Sequence, residues 1–259
     1  MTKTLLRPLT NGQTAAASGD AVLLCDCGTA TSSQRALAAE AETLIRDKGL
    51  SALRVSDLCG AVAHRDPQLL AFASDRRLIV CACRPRAVRW LLHAAGLDVA
   101  SMALQVVDLR QPADQVHREL PQRLAHGRGG PFTTLAASDG WIPWFPVVDY
   151  DRCQDCGQCA SFCVFGVYSR HAEGSVCVTR PDGCKTNCPA CARLCPSAAI
   201  VFPKHDEAPF DGSEITDEEA VRARTRYYTH EMLGADPYAA LAARRQRVEL
   251  LRRPQGAEP

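Results

Sequence analysis

The N-terminal half of the chain alternates between short apolar runs and longer stretches in which apolar residues recur at helical spacing. The predicted strands and helices are, in chain order, Ala21–Cys25, Ser33–Lys48, Leu53–Val55, Pro67–Ala73, Leu78–Cys81, Pro85–Ala95, Leu104–Val107 and Ala113–Ala125. Gly49 and Gly96 follow two of the predicted helices as stop signals. Strands that alternate with helices are typical of a parallel sheet covered on both faces. We therefore expect a small α/β domain over residues 20–126.

The pattern changes in the second half, where the apolar runs are shorter and cysteines are frequent. The runs that predict strands are an outer pair, Pro146–Tyr150 and Ala199–Phe202, and an inner pair, Phe165–Tyr168 and Val176–Val178. These pairs predict a small α+β domain over residues 144–204. The stretch Gly127–Pro146 is rich in glycine and proline. We interpret residues 127–143 as a linker between the two predicted domains.

The end of the chain has a third pattern, which predicts two helices over residues 214–253. Thr216 followed by Glu219 is a capping-box signal, and the first helix is expected to run from there to Met232. The second is predicted over Tyr238–Arg252 and carries charge nearly all round. Such a helix is most simply solvated, and a role in docking a partner is the alternative.

Charge and hydropathy exclude several classes of protein. The chain has 30 basic and 29 acidic residues, which gives no electrostatic reason to expect nucleic acid as a partner. Its longest stretch without Asp, Glu, Lys or Arg is Cys156–Ser169, shorter than the ~20 apolar residues of a membrane span. No apolar core follows the basic residues of Met1–Leu9, so neither a secretory signal nor membrane insertion is expected. We expect a cytoplasmic protein whose 14 cysteines bind metal or carry out redox chemistry.

Eight of the cysteines form two runs with nearly the same spacing. The first run, C-x2-C-x2-C-x3-C, consists of Cys153, Cys156, Cys159 and Cys163, and the second, C-x3-C-x2-C-x3-C-P, of Cys184, Cys188, Cys191 and Cys195. These runs resemble those of the bacterial two-cluster ferredoxins, in which the fourth cysteine of each run ligates the other run's 4Fe–4S cluster. The resemblance implies one cluster on Cys153, Cys156, Cys159 and Cys195 and a second on Cys163, Cys184, Cys188 and Cys191.

Two features depart from the ferredoxin pattern and leave alternatives open. Val164 stands where the motif usually has proline, and the second run has one extra residue after Cys184. Cys177 lies in an alternating run that predicts a strand, and it is the alternative to Cys184 as a ligand. A pair of structural zinc sites also uses C-x2-C pairs and is the alternative to iron–sulfur clusters.

The other cysteines occur in phrases that resemble the N-terminal domain of the heterodisulfide reductase A subunit. LCDCGT contains Cys25 and Cys27, DLCG contains Cys59, and Cys83 precedes Arg84-Pro85-Arg86. In that family a C-x-C-G, a lone cysteine and a C-x-P-R motif bind an iron–sulfur cluster. The resemblance therefore implies a possible third cluster on Cys25, Cys27, Cys59 and Cys83. Cys81 has no counterpart in the motif and is interpreted as a strand residue.

The same family carries a flavin domain, which we do not expect in this chain. There is no G-x-G-x-x-G sequence, because Gly127, Gly129 and Gly130 do not complete the pattern and do not follow a predicted strand. Neither flavin nor NAD is therefore expected as a cofactor.

These features together predict an electron carrier rather than an enzyme. We expect the chain to relay single electrons between its clusters and a redox partner protein, with no catalytic residues of its own. One alternative is a thiol–disulfide oxidoreductase that uses Cys81 and Cys83. A second is a catalytic or electron-input subunit of a heterodisulfide-reductase-like complex, and a third is an interaction module that binds zinc.

Overall fold

The structure of the protein is a computed structural model that describes residues 19–74, 77–137 and 141–252. Three parts of the predictions lie outside these residues. They are the N-terminal stretch Met1–Leu9, residues 138–140 of the predicted linker and Arg253 at the end of the predicted tail.

A five-stranded parallel sheet forms the first part of the molecule, as the alternating pattern predicts. Its strands are β1 (Ala21–Cys25), β2 (Ala52–Val55), β3 (Arg77–Ala82), β4 (Ala103–Asp108) and β5 (Phe132–Leu135). Their spatial order is β4-β3-β1-β2-β5, and all neighbours are parallel. The first strand is therefore central, and the chain leaves it in one direction to β2 and later in the other to β3. We call residues 20–135 the sheet region.

Helices cover both faces of the sheet, and successive buried residues of the central strand β1 face opposite helical layers. The helices of the sheet region are α1 (Ser32–Asp47), α2 (Leu58–Ala63), α3 (Pro67–Ala73), α4 (Pro85–Ala94) and α5 (Ala113–Leu124). In β1, Val22 and Leu24 point toward α1 and α5, whereas Leu23 and Cys25 point toward α2 to α4. The short helix α2 is absent from the predicted elements. Its N-cap is Asp57, whose carboxylate accepts a hydrogen bond from the Gly60 N–H.

The predicted linker differs from the structure, because part of it is the fifth strand of the sheet. Phe132–Leu135 pairs in parallel with β2, and the Ala52 N–H donates to the Pro131 carbonyl at 2.9 Å. Phe, Thr and Leu suit a strand. The glycines and prolines that indicate a linker flank this short run, so only part of residues 127–143 connects the sheet to the second half of the chain.

The region over residues 144–204, which we call the cysteine-rich segment, contains both predicted strand pairs in shorter form. Its elements are β6 (Val147–Val148), α6 (Gln158–Phe162), β7 (Tyr168–Arg170), β8 (Val176–Val178), α7 (Ala190–Arg193) and β9 (Ile200–Val201). The outer strands β6 and β9 are antiparallel, as are the inner strands β7 and β8. The two pairs enclose an apolar core that includes Trp144, Ile200 and Phe202.

The two predicted tail helices are present as α8 (Glu218–Leu233) and α9 (Pro237–Arg252). The N-cap of α8 is Asp217, whose carboxylate accepts from the Ala220 N–H at 2.9 Å, so the predicted capping box at Thr216 is wrong. The interpretation of α9 as a purely solvated helix also needs correction. Leu241 is buried, and the guanidinium of Arg244 lies 4.3 Å from the centre of the Phe162 ring in α6.

The cysteine-rich segment packs on the α2–α4 face of the sheet region. Phe145, Val147 and Val201 belong to the same apolar cluster as Leu23 and Val80. Gly212, which follows the segment, shows how closely the chain approaches α4, because a Cβ on it would lie 2.6 Å from the Cβ of Ala87. The sheet region and the cysteine-rich segment therefore share one buried apolar cluster, and the segment also has an apolar core of its own.

No helix within the described ranges is both long enough and apolar enough to cross a membrane.

Candidate metal centres

All 14 cysteines are free thiols, and twelve of them lie in three groups of four. One group lies at an edge of the parallel sheet, and two lie within the cysteine-rich segment. The groups contain the residues that the sequence motifs predict.

The first group lies where the strands of the sheet end. Cys25 is the last residue of β1, Cys59 is in α2 directly after β2, and Cys83 follows β3. Because β1 is the strand from which the chain leaves in both directions, a crevice opens at its carboxyl end. Such a crevice is the usual ligand site of an open parallel sheet. This topology brings cysteines that are far apart in sequence to one place.

A cavity of about 140 Å³ lies between these cysteines. It is lined by Cys25, Cys27, Cys59 and Cys83 together with side chains that include Asp57 and Lys204. A single water needs only ~10–15 Å³ on the same measure, so the cavity has room for a group of several atoms. Four thiols around a cavity of this size are a donor set suited to an iron–sulfur cluster.

Burial raises the pKa of three of the four thiols around the cavity. It raises the pKa of Cys83 to about 12, and the charge of Cys27 adds to the effect. Burial likewise raises the pKa of Cys25 and of Cys59 well above the ordinary value. A thiol that exchanges disulfides or attacks a substrate needs a lowered pKa. The raised pKa of Cys25, Cys59 and Cys83 therefore argues against a thiol that is activated for disulfide exchange.

Cys81 lies apart from this group. It is fully buried with Leu24 and Val107 in the core beneath α1 and α5, on the opposite face of the sheet from Cys59. Cys83 lines the cavity instead. This separation argues against a redox pair made of Cys81 and Cys83.

Two charged residues beside the cavity carry no signature in the sequence. The ammonium of Lys204, which follows β9, lies 3.8 Å from Cys27 Sγ and forms an ion pair with Asp57. Burial alone lowers the pKa of Lys204, but the surrounding acidic groups, which are Cys59, Cys27 and Asp57, outweigh burial and raise the pKa overall. Lys204 therefore stays a cation inside the site.

The second group consists of Cys153, Cys156, Cys159 and Cys195. Burial, together with the charges of the other three cysteines, raises the pKa of Cys159 to about 12, so all four lie near one another. Gly157 has a φ of 71°, a left-handed conformation that lets the loop turn into α6 between Cys156 and Cys159. The Ala199 N–H donates a hydrogen bond to Cys195 Sγ at 3.2 Å.

The third group consists of Cys163, Cys184, Cys188 and Cys191. Burial raises the pKa of Cys184 to about 12, and the charges of Cys163 and Cys188 contribute. Burial also raises the pKa of Cys191, and the charges of Cys184 and Cys163 raise that pKa as well. The hydroxyl of Tyr168 donates to Cys191 Sγ at 3.1 Å, a contact of the kind that tunes the potential of a cluster.

Cys177 is outside this group. It lies in β8, and its thiol donates to the Ser169 carbonyl of β7 at 3.6 Å. Burial raises its pKa, and the charge that adds to this effect is that of Glu173 rather than of another cysteine. Its position thus favours Cys184 over Cys177 as a member of the third group.

Each group offers four thiols, which is the donor set of an iron–sulfur cluster. Within the part of the chain that the structure describes, no three His, Cys, Asp or Glu side chains are arranged to hold a single metal ion. A zinc ion draws its four ligands to ~2.3 Å from one centre, whereas each thiolate of a 4Fe–4S cluster binds a different iron.

Three arginines connect the sheet region to the cysteine-rich segment or to the residues that directly follow it. Arg86 donates to the carboxylate of buried Asp149 at 2.6 Å and to the carbonyl of Ala198, next to the residue that donates to Cys195. Arg84 bridges Asp108 and Asp211 at 3.1 and 3.2 Å. Arg110 donates to carbonyls that include that of His205. The R-P-R sequence after Cys83 thus serves to join the two parts.

Comparison with known proteins finds a relative for part of the chain. A curated protein described as an uncharacterized ferredoxin, from Methanocaldococcus jannaschii, is 46% identical over 63 residues. The match covers 24% of this chain and 42% of the relative, so the chain spans less than half of that protein. No protein-family model matches the chain. No solved structure matches it either. The chain therefore contains a segment homologous to a ferredoxin.

Proposed function

We propose that this protein is an iron–sulfur electron carrier that relays single electrons between its clusters and a redox partner protein. Two 4Fe–4S clusters are held by the cysteine-rich segment. One uses Cys153, Cys156, Cys159 and Cys195, and the other uses Cys163, Cys184, Cys188 and Cys191. A third iron–sulfur cluster is held by Cys25, Cys27, Cys59 and Cys83.

The grouping of twelve cysteines into three sets of four is the observation that carries this proposal. Each set combines members that are distant in sequence, and burial raises the pKa of Cys83, Cys159 and Cys184, one thiol of each set. Iron binds the deprotonated thiolate, so cluster assembly would release protons and supply positive charge to the bound sulfurs. Burial and hydrogen bonds to sulfur then set the reduction potentials.

The ferredoxin relative supports the same function for the cysteine-rich segment. Its name describes a ferredoxin, and 46% identity over 63 residues is enough to expect the same kind of fold and cofactor. For the N-terminal site, the support is the cysteine-lined cavity at the carboxyl end of the sheet. Fourteen free cysteines suit a reducing compartment, such as the cytoplasm.

The chain's own residues hold, insulate and tune the clusters. Apolar side chains such as Phe202 shield the second and third cysteine groups from water. Tyr168 and the Ala199 N–H donate hydrogen bonds to sulfurs of these groups. The clusters supply the one-electron chemistry when they are bound. Burial raises the pKa of Cys25, Cys83, Cys159 and Cys184, whereas a thiol–disulfide oxidoreductase requires a thiol with a lowered pKa.

Metal analysis of the full chain tests the cofactor content. Protein purified without oxygen is expected to be brown and to contain about twelve iron and about twelve sulfide per chain. About eight iron and about eight sulfide per chain would show that the N-terminal cluster is absent. Zinc in place of iron, in a colourless protein, would overturn it.

Electron transfer is tested by stoichiometry. The protein is reduced anaerobically, freed of reductant and mixed with cytochrome c as a generic acceptor. It should give up about one electron per cluster and then stop, because a carrier has no substrate to renew its electrons. Continued reduction of a disulfide or oxidation of a nicotinamide by the chain alone would show that it is an enzyme.

A further inference from the structure

The N-terminal cysteine site is completed by a residue from the cysteine-rich segment. Lys204 reaches across the interface, and its side chain is only 5% exposed. Its ammonium contacts Cys27 and Asp57, and its side chain also lines an apolar pocket beside Cys59. Two of the four cysteines therefore have this cation as a neighbour.

The ion pair with Asp57 does not by itself explain why the lysine is placed against sulfur. Asp57 already accepts a hydrogen bond from the Gly60 N–H as the N-cap of α2. A buried ammonium is costly unless its donors have partners, and the sulfur of Cys27 supplies a second partner. A neutral thiol is a poor acceptor, whereas a thiolate that binds iron is a good one. The arrangement is therefore most stable when the cysteine site carries negative charge.

We propose that Lys204 raises the reduction potential of the N-terminal cluster. This inference rests on the proposed function. Reduction would add one negative charge to the cluster, and a fixed cation this close would stabilise the reduced form more than the oxidised form. The electron would come from a cluster of the cysteine-rich segment or from the redox partner protein, and no bond or proton would change.

Three variants of the full chain test the role of this charge. Lys204→Met removes the cation and keeps much of the side-chain length, Lys204→Arg keeps the cation, and Asp57→Asn removes the opposing anion. Asparagine is as good an N-cap as aspartate, so α2 is expected to form. Each protein is titrated with dithionite in the presence of mediators, and electron paramagnetic resonance follows the clusters individually.

In Lys204→Met the equilibrium constant for reducing the N-terminal cluster should fall about tenfold, which is 59 mV for one electron. The signals of the other two clusters should move less. Lys204→Arg should stay near the unmodified protein, and Asp57→Asn should shift the potential in the positive direction. If Lys204→Met loses its N-terminal iron, the positive shift in reduction potential expected for Asp57→Asn still tests the effect of charge at this site.

The outcomes separate this inference from the proposed function. About twelve iron per chain with an unchanged N-terminal potential in Lys204→Met would overturn the role of Lys204 and leave the carrier function standing. A negative or absent shift in Asp57→Asn would also overturn it. An unmodified protein with only about eight iron would overturn both the third cluster and the inference built on it.

Discussion

Cysteine residues in this protein have different surroundings, and those surroundings decide what each thiol can do. Cys83 lines a cavity with three other thiols, whereas Cys81, two residues earlier, is enclosed by aliphatic side chains. Burial raises the pKa of both to about 12. A raised pKa alone therefore does not identify a cluster ligand in this chain. The side chains that surround a thiol identify it.

Replacement of these two cysteines tests that distinction. Cys83→Ala should remove the iron of the N-terminal site, which lowers the content by about four iron per chain. Cys81→Ala should keep all the iron, because its thiol faces α1 and α5 and not the cavity. Iron and sulfide analysis of both variants, purified anaerobically, gives the comparison. If both keep their full iron content, Cys83 is a core residue and the third cluster is wrong.

Cys184 and Cys177 form a second matched pair. The sequence leaves both as possible members of one ligand set, but only Cys184 has two other cysteines of its group among the charges that act on it. Cys184→Ala should therefore lose or convert one cluster of the cysteine-rich segment, with a change in its electron paramagnetic resonance signal. Cys177→Ala should leave the spectrum unchanged. The reverse pattern would assign Cys177 as the ligand.

Elements with strong periodicity could be predicted from the sequence, and short ones could not. The helices α1 and α4 begin and end within one residue of the prediction. In contrast, α2 has six residues and no full amphipathic period, and β5 is a four-residue run beside glycine and proline. Both acquire their structure from neighbours. Asp57 caps α2, and β2 provides the hydrogen-bonding edge for β5.

The residues of the candidate site likewise divide into those that the sequence reveals and those that it does not. Cysteine spacing is local information, so the two runs and the N-terminal phrases could be found in the sequence. Lys204 is 147 residues from Asp57 and 177 from Cys27, and its neighbours contain no motif. A contact of that kind depends on how the cysteine-rich segment docks on the sheet. Only the folded structure reveals it.

The helix α4 carries the main polar link between the two parts, and Arg86 tests it. Its side chain is 14% exposed and donates to Asp149, Ala198 and Pro209. Arg86→Met leaves the Asp149 carboxylate without this partner, and breaking a buried pair costs about 3 kcal/mol. For a chain of this size that lowers the unfolding midpoint by roughly 6–12 °C. Circular dichroism of the anaerobic protein during heating measures the change.

Arg89, on the same helix, provides the control for Arg86. Its ion pair with Asp151 spans 3.6 Å, and the two side chains are 40% and 70% exposed. A surface pair of this kind contributes about 1 kcal/mol or less, so Arg89→Met should change the midpoint little. Equal effects of the two substitutions would show that the buried link is not what holds α4 against the segment.

At the scale of the whole molecule, the shared core makes the sheet region and the cysteine-rich segment depend on each other. Phe145, Val147 and Val201 come from the segment but are buried among residues of the sheet region. Separate domains joined by a linker, as the sequence suggests, would each have a complete core. Here each part covers apolar surface of the other, and Lys204 adds a charge that only the docked arrangement can supply.

This dependence predicts that the clusters and the sheet are lost in one cooperative transition. In an anaerobic denaturant titration, far-ultraviolet circular dichroism reports the helices and sheet, and visible absorbance reports the clusters. The two curves should have the same midpoint, because each part covers apolar surface of the other in the shared cluster. Phe145→Ala should lower both midpoints together, because truncating a buried phenylalanine costs about 3–5 kcal/mol and this ring contacts both parts.

Ile142→Ala is the matched control: its side chain is 62% exposed and should leave both curves in place. Two separate transitions, with only the absorbance shifted by Phe145→Ala, would show instead that the parts fold independently and that the interface is secondary to their stability.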